Sequence, residues 1–144
     1  MDKSITKIKI RGYHLDVYQH VNNARFLELF EEARWSHYEH YPPSLFVDNG
    51  WGFVVVNINV DYKHPALLGN ELIIETKLVK IGERSATLRQ EATISSSGKL
   101  SAAADVTFVM LDLNTKQVLP IKGKLFDVLS GKFQFTNNGS KNKK

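Results

Sequence analysis

A single apolar helix, with strand patterns both before and after it, is the feature that most constrains how this chain folds. From residue 23 to 41, apolar side chains recur at spacings of three and four, which places them on one face of a helix. Either Asn22 or Asn23 provides a cap for its first turn. Pro42-Pro43 cannot continue a helix, so we expect it to end near Tyr41. A helix of this kind is ~24 Å long at ~1.5 Å per residue and must be largely enclosed.

Five other segments have the period of β-strands. One precedes the helix, and four follow it with no second long helical pattern between them. In the segment after the helix, Val56, Ile58, Val60 and Tyr62 alternate with polar residues, which predicts one apolar and one wet face. Short connections predict antiparallel pairing of the last three strands. The predicted strands are 5–10, 53–62, 72–81, 85–94 and 100–111.

The order strand, helix, four strands predicts an α+β domain in which one antiparallel sheet wraps one long helix. A short helix over 125–129, ended by Gly131, closes the domain, which we place at residues 1–131. The polar segment 132–144 is expected to be a disordered basic tail.

The net charge of +4 comes from that tail. Without Lys132, Lys141, Lys143 and Lys144, the chain has 15 basic and 15 acidic side chains. No strand carries a basic stripe with interleaved aromatic residues, so we expect no nucleic-acid partner.

The composition also limits the chemistry and the compartment. The chain has no cysteine, which excludes disulfides, thiolate metal sites and a cysteine nucleophile. No apolar run has the length of a signal peptide or of a membrane span. We therefore expect a cytoplasmic protein without a membrane partner.

The loop before the long helix concentrates the residues that carry chemistry. It contains Asp16 and His20 and leads into the helix start, where free N–H groups and the positive end of the helix dipole polarise a carbonyl oxygen. A bend in the loop would aim Asp16 at the same point. A carboxylate beside an amide-lined oxyanion site is an arrangement for acyl transfer.

Each of these residues also has a plainer interpretation. Asp16 is equally a turn residue that accepts backbone hydrogen bonds, and His20 a loop imidazole satisfied by its neighbours. A metal ion held by His14, Asp16 and His20 is an alternative, but no second cluster with ligand spacing supports it, so we expect neither metal nor cofactor.

The stretch 16–28 (DVYQHVNNARFLE), followed by EEARW at 31–35, resembles the hotdog-fold acyl-CoA thioesterases of the hydroxybenzoyl-CoA thioesterase class, most of all the bacterial long-chain acyl-CoA thioesterase III branch. The resemblance continues through 53–62 and the turn Pro65-Ala66, and covers roughly residues 5 to 129. It implies hydrolysis of medium- to long-chain acyl-CoA to free acid and CoA. It also implies a homodimer or homotetramer in which sheets of two subunits pair and the sites lie at the interface.

The resemblance further implies roles for individual residues. Asp16 would be the general base or the nucleophile, and His20 would orient or assist. Backbone amides of Asn23 and Ala24 would polarise the thioester carbonyl. The residues that bind CoA and the acyl chain are not identified by the sequence, and Glu31 and Glu32 match an acidic position whose function differs between branches.

Three alternatives stay open at this point. The first is a hotdog module that binds acyl-CoA without catalysis, the second a hydratase acting on enoyl-CoA, and the third a basic nucleic-acid module. Asp16 discriminates against the first, since a carboxylate at the helix start would repel an anionic ligand. The pair Asn22-Asn23 points away from the hydratase motif.

Overall fold

The order of elements in the computed structural model, which describes residues 3–133, follows the predicted pattern with one addition. The five strands form one antiparallel sheet in the order β1-β3-β4-β5-β2. The elements are β1 (Lys3–Lys9), a 3-10 turn (Gly12–His14), α1 (Asn23–Tyr38), α2 (Pro43–Asp48), β2 (Trp51–Tyr62), β3 (Glu71–Ile81), β4 (Ala86–Ile94), β5 (Leu100–Asp112) and α3 (Gly123–Ser130).

Helix α1 begins where the sequence predicts and ends three residues earlier. The side chain of Asn22 accepts a hydrogen bond from Ala24 N at 2.8 Å, which satisfies one donor of the first turn. The added element is α2, whose first residue is Pro43. The expectation of a simple stop at the proline pair was therefore incomplete, because proline at the first position of a helix also starts one.

The sheet wraps α1, and its inner face is the core. Along β3 and β4 every second residue is buried, as a strand with one face on a helix requires. Two buried polar residues of β3 and β4 interrupt this face: Thr76 on β3, and Gln90 on β4, which is fully enclosed and donates to Phe30 O of α1 at 2.9 Å. The largest fully buried apolar side chains are Ile10, Phe30, Leu72, Ile74, Leu78, Leu88, Val106, Phe108, Met110, Val128 and Leu129.

Strand β2 lies at one edge of the sheet and departs from the predicted pattern. A β-bulge between Val55 and Asn57 makes Val56 an extra residue, so the period of two holds only from Asn57 onward. A strand with one buried and one solvent-facing side would bury its apolar residues. Those of β2 are more exposed than that, and Val56 is 56% exposed. The opposite edge, β1, instead carries exposed lysines at Lys3, Lys7 and Lys9.

Helix α3 is longer than predicted and ends at Gly131, whose φ of 80° only glycine adopts without strain. Phe133, which the sequence assigns to the tail, is half-buried, and its carbonyl accepts a hydrogen bond from Tyr41 Oη at 3.2 Å. The rest of the predicted tail lies outside the described residues. Within residues 3–133, none of the helices has both the length and the apolar character needed to cross a membrane.

Candidate active site

The loop that precedes α1 is held in shape by hydrogen bonds within its backbone and by the buried side chain of His14. His14 is buried, and its Nδ1 accepts a hydrogen bond from Arg11 N at 2.8 Å. Burial, followed by the charges of Arg25 and Arg11, lowers the pKa of His14, so this imidazole is held in its neutral form. A bridge between Leu15 and Val21 then closes the segment between them into a tight turn.

Asp16 is the first residue inside that turn. Its Oδ1 accepts hydrogen bonds from Tyr18 N at 2.9 Å and His20 N at 3.4 Å, and its own N–H donates to His20 O at 2.9 Å. Gln19 completes the turn with a positive φ of 65°. Within residues 3–133 only Oδ1 is hydrogen-bonded, which leaves Oδ2 available to an incoming group. The turn interpretation and the catalytic interpretation of Asp16 are therefore compatible.

The carboxylate opens onto a cavity of about 240 Å³ at the start of α1. Asp16, His20 and Asn23 all line it, so the structure brings together three of the four predicted site residues. Ala24 does not line it, and its amide already donates to Asn22 Oδ1. In this structure the Ala24 amide therefore has a partner within the cap, and its role at the substrate carbonyl stays a prediction. Asn23 N and Arg25 N have no acceptor among the described residues, and of these two residues only Asn23 lines the cavity.

Four polar residues of the cavity were missed by the sequence analysis. Tyr62, at the end of β2, donates from its hydroxyl to Asn23 O at 3.1 Å and so holds the start of the helix. Burial raises the pKa of Tyr62, which keeps the phenol protonated as a donor. Ser101 hydrogen-bonds the backbone of the chain after β2 through its Oγ, which is 2.6 Å from His64 O. Lys63 and His64 complete this set.

The other acidic and metal-binding candidates lie elsewhere. Glu31 and Glu32 are exposed on α1, and Glu31 is eight residues beyond Asn23, or ~12 Å along the helix axis. Neither lines the Asp16 cavity. Among residues 3–133 no group of three or more histidine, aspartate or glutamate side chains is placed to hold a metal ion, and His14 is not gathered with Asp16 and His20 for that purpose.

An antiparallel sheet wrapped around one long helix is the hotdog architecture, and in this chain the carboxylate of Asp16 lines one cavity with Asn23, the first residue of that helix. A comparison with known families agrees with this class. The profile described as "Thioesterase-like superfamily" matches residues 10–130, and the chain belongs to that family.

Individual relatives give the same result. A protein of Escherichia coli (strain K12) named "Long-chain acyl-CoA thioesterase FadM" is 46% identical over 125 residues, which cover 86% of this chain and 95% of the relative. The solved structure of the probable thioesterase YbaW from Escherichia coli has a TM-score of 0.84 and 44% identity, over 90% of this chain and 98% of that one.

A more distant structure supports the fold alone. It is a variant of 4-hydroxybenzoyl-CoA thioesterase in complex with 4-hydroxybenzoyl-CoA, with a TM-score of 0.82 at 16% identity, over 90% of this chain and 100% of that one. The predicted α+β hotdog fold, the family and the class of thioester hydrolase are thereby confirmed.

Proposed function

We propose that this protein hydrolyses medium- to long-chain acyl-CoA thioesters to the free acid and CoA, with Asp16 as the catalytic carboxylate. The observation that carries the proposal is one cavity at the start of α1 that both Asp16 and Asn23 line, with the amide of Asn23 left without an acceptor among the described residues. The preference for long chains is supported by the relative named as a long-chain acyl-CoA thioesterase.

The amide of Asn23 supplies the electrostatic part of the mechanism. The thioester carbonyl oxygen accepts from Asn23 N–H, where the helix adds roughly half a positive charge. Negative charge that develops on this oxygen in the transition state is thus stabilised by a fixed donor. The hydroxyl of Tyr62 holds the backbone of the same residue in place through its bond to Asn23 O.

Asp16 supplies the second part by one of two routes. As a general base, Oδ2 takes a proton from water while the oxygen of that water adds to the carbonyl carbon. As a nucleophile, Oδ2 itself adds to the carbonyl carbon and forms an anhydride that water then opens. In both routes the C–S bond breaks and CoA leaves as the thiol after it is protonated. His20 lines the same cavity and is assigned the role of orienting the substrate or water.

Replacement of Asp16 by Asn is the direct test, because it keeps the shape of the side chain and removes its charge. We expect kcat to fall by about 10²- to 10⁴-fold with little change in KM, since the carbonyl is still held by Asn23. Thiol release from palmitoyl-CoA measures both constants. Asp127→Asn, an exposed carboxylate on α3, is the matched control and should be unaffected. If Asp16→Asn keeps most of the wild-type kcat, the assignment of Asp16 is wrong.

The same proposal includes a homodimer, or a tetramer built from it, formed through β2. An edge strand with unpaired backbone groups and exposed apolar side chains is a template for pairing with another strand. The edge at β2 has this character, whereas the lysines of β1 protect the other edge. Pairing of two β2 strands would cover Val54 and Val56, and would join the two sheets.

A charge on that edge tests the assembly. Val56→Lys should lower the mass measured by light scattering to that of the monomer, because a buried ammonium at a strand edge opposes pairing. Val79→Lys on β3 has a similarly exposed starting side chain and should leave the mass unchanged. A wild-type protein that is monomeric at micromolar concentration and fully active would contradict the proposal. The cytoplasmic location expected from the sequence stays a prediction.

A further inference from the structure

The Asp16 cavity has a second wall, which is built by the residues that follow β2. Tyr62, at the end of that strand, donates from its hydroxyl to Asn23 O at 3.1 Å and so joins this wall to the start of α1. Further along the chain, Ala66 O accepts a hydrogen bond from Val21 N at 2.9 Å. The segment between these two joints therefore forms a wall of its own, distinct from the turn that carries Asp16.

His64 lies on this second wall, and its backbone is fixed by one buried serine. Its N–H donates to Ser101 O at 3.2 Å, and its carbonyl oxygen accepts from Ser101 Oγ at 2.6 Å. Ser101 belongs to β5 and is 1% exposed, so these bonds tie His64 to the sheet. The imidazole takes no part in them, and His64 is an exposed residue that lines the cavity. A fixed backbone suits proton transfer, which requires a donor within hydrogen-bond reach of its acceptor.

The departing sulfur needs a proton, and most polar groups of the cavity are poorly suited to give it. The hydroxyl protons of Tyr62 and Ser101 are both donated to backbone carbonyl oxygens. Lysine ammonium groups are as a class weaker acids than alkyl thiols, which argues against Lys63. Imidazolium groups are stronger acids than alkyl thiols. This order favours one of the two histidines of the cavity, His20 or His64.

The two histidines lie on different walls. His20 belongs to the turn of Asp16, and its N–H donates to Asp16 Oδ1 at 3.4 Å. In the proposed mechanism the attacking oxygen comes from that turn. The attacking oxygen and the departing sulfur occupy different positions around the carbonyl carbon, so the sulfur is left to the wall of His64.

We propose that the imidazolium of His64 protonates the departing CoA sulfur. This inference rests on the proposed function and adds the acid that both of its routes lack. When the tetrahedral adduct collapses, the C–S bond breaks and its electron pair goes to sulfur, which takes the proton of His64. His64 then regains a proton from water. In the general-base route Asp16 releases to solvent the proton that it took from water, and in the nucleophilic route His64 acts in the same way as the anhydride forms.

The acidity of the leaving group tests the proposal, because a thiolate that is already stable needs no proton. The substrates are two decanoyl thioesters, one of N-acetylcysteamine, an alkyl thiol, and one of 4-nitrothiophenol, a much stronger acid. His64→Gln keeps a hydrogen-bond donor and the backbone bonds to Ser101 but has no proton to transfer. We expect it to lower kcat/KM for the alkyl thioester by about 10²-fold or more and to leave the aryl thioester nearly unchanged. His40→Gln, at an exposed histidine outside the cavity, is the matched control.

Ser101 is assigned as a positioning residue, since it acts through His64. Ser101→Ala removes the donor to His64 O and leaves the imidazole in the chain. We expect a smaller loss than for His64→Gln, again confined to the alkyl thioester. Equal losses for the two thioesters would overturn this positioning role, because a purely structural defect does not depend on the leaving group.

The outcomes separate this inference from the proposed function. Equal losses for the two thioesters in His64→Gln, or a loss for neither, would overturn the assignment of His64. A loss confined to the alkyl thioester in His20→Gln but not in His64→Gln would do the same and make His20 the acid. Asp16→Asn should lose activity on both thioesters, because both require attack at the carbonyl. If it kept both activities while His64→Gln showed the expected difference, the catalytic carboxylate would be wrong and the acid right. Absence of thiol release by the wild type would contradict both proposals.

Discussion

The side chain of Gln90, here called the Gln90 clamp, hydrogen-bonds α1 to the sheet, and its removal should lower stability. Gln90 is fully buried on β4, and its Nε2 donates to Phe30 O at 2.9 Å and to Thr76 Oγ1 at 3.0 Å. Its Oε1 accepts from Arg34 Nη1 at 3.1 Å. One amide thus joins two positions of the helix to two strands of the sheet. Gln90→Leu keeps most of the side-chain volume and removes all three hydrogen bonds.

The expected loss of stability is set by the polar groups that Gln90→Leu leaves without a hydrogen-bond partner. The hydroxyl of Thr76 is fully buried and would lose its donor, and an unsatisfied buried group costs about 1–3 kcal/mol. Arg34 is half-buried and its guanidinium can turn toward water, so losing its hydrogen bond to Gln90 costs less free energy. We expect Gln90→Leu to lower the free energy of unfolding by about 2–4 kcal/mol. Since Thr76→Val removes the orphaned hydroxyl, the double variant should lose about 1 kcal/mol less than the sum of the single losses.

Urea unfolding followed by circular dichroism measures these differences. All variants must be compared at one protein concentration, because association couples stability to concentration. Gln117→Leu, at an exposed glutamine, is the control and should lie within ~0.5 kcal/mol of the wild type. A Gln90→Leu protein as stable as the control, or additive losses in the double variant, would refute the reasoning.

Three further predictions concern pH, the C-terminus and Tyr62. The pKa of His14 is lowered in the folded state, so as the pH drops the unfolded chain takes up a proton before the folded chain does. The free energy of unfolding should therefore fall below pH ~6.5. His14→Phe should flatten this pH dependence, measured by urea titrations at several pH values. Deletion of 134–144 should leave Tm unchanged, whereas a deletion that also removes Phe133 should lower it by a few degrees in calorimetry. Tyr62→Phe should lower kcat by about 2- to 10-fold in the thiol-release assay, through the lost bond to Asn23 O.

Local signals explain what the sequence predicted well. The start of α1 follows from an asparagine cap and an apolar period of three to four, both of which act within a few residues. The strands β3, β4 and β5 follow from a period of two, and their boundaries differ from the prediction by one residue at most. The sequence singled out the loop of the candidate site because Asp16, His20 and Asn23 are neighbours in the chain.

Non-local contacts explain what was missed. Tyr62 and Ser101 lie at the candidate site only because β2 pairs with β5. Neither segment contains a local sequence signal for that pairing. The bulge at Val56 is likewise a property of the pair and not of one strand. The partners of Gln90 on α1 and β3 also depend on how the sheet closes over the helix.

The helix that forms the core also carries the amide that we propose polarises the thioester carbonyl, so the proposed mechanism couples stability to catalysis. Asn23 N–H polarises a carbonyl only if its position is fixed before the reaction, since a donor that moves must be reorganised in the transition state. Phe26 and Phe30 fix the helix on the sheet by burial, and the Gln90 clamp fixes its rotation by hydrogen bonds. A variant that releases the clamp should therefore lose kcat at temperatures where it is still folded. Loss of kcat only in parallel with unfolding would show that burial alone positions the amide.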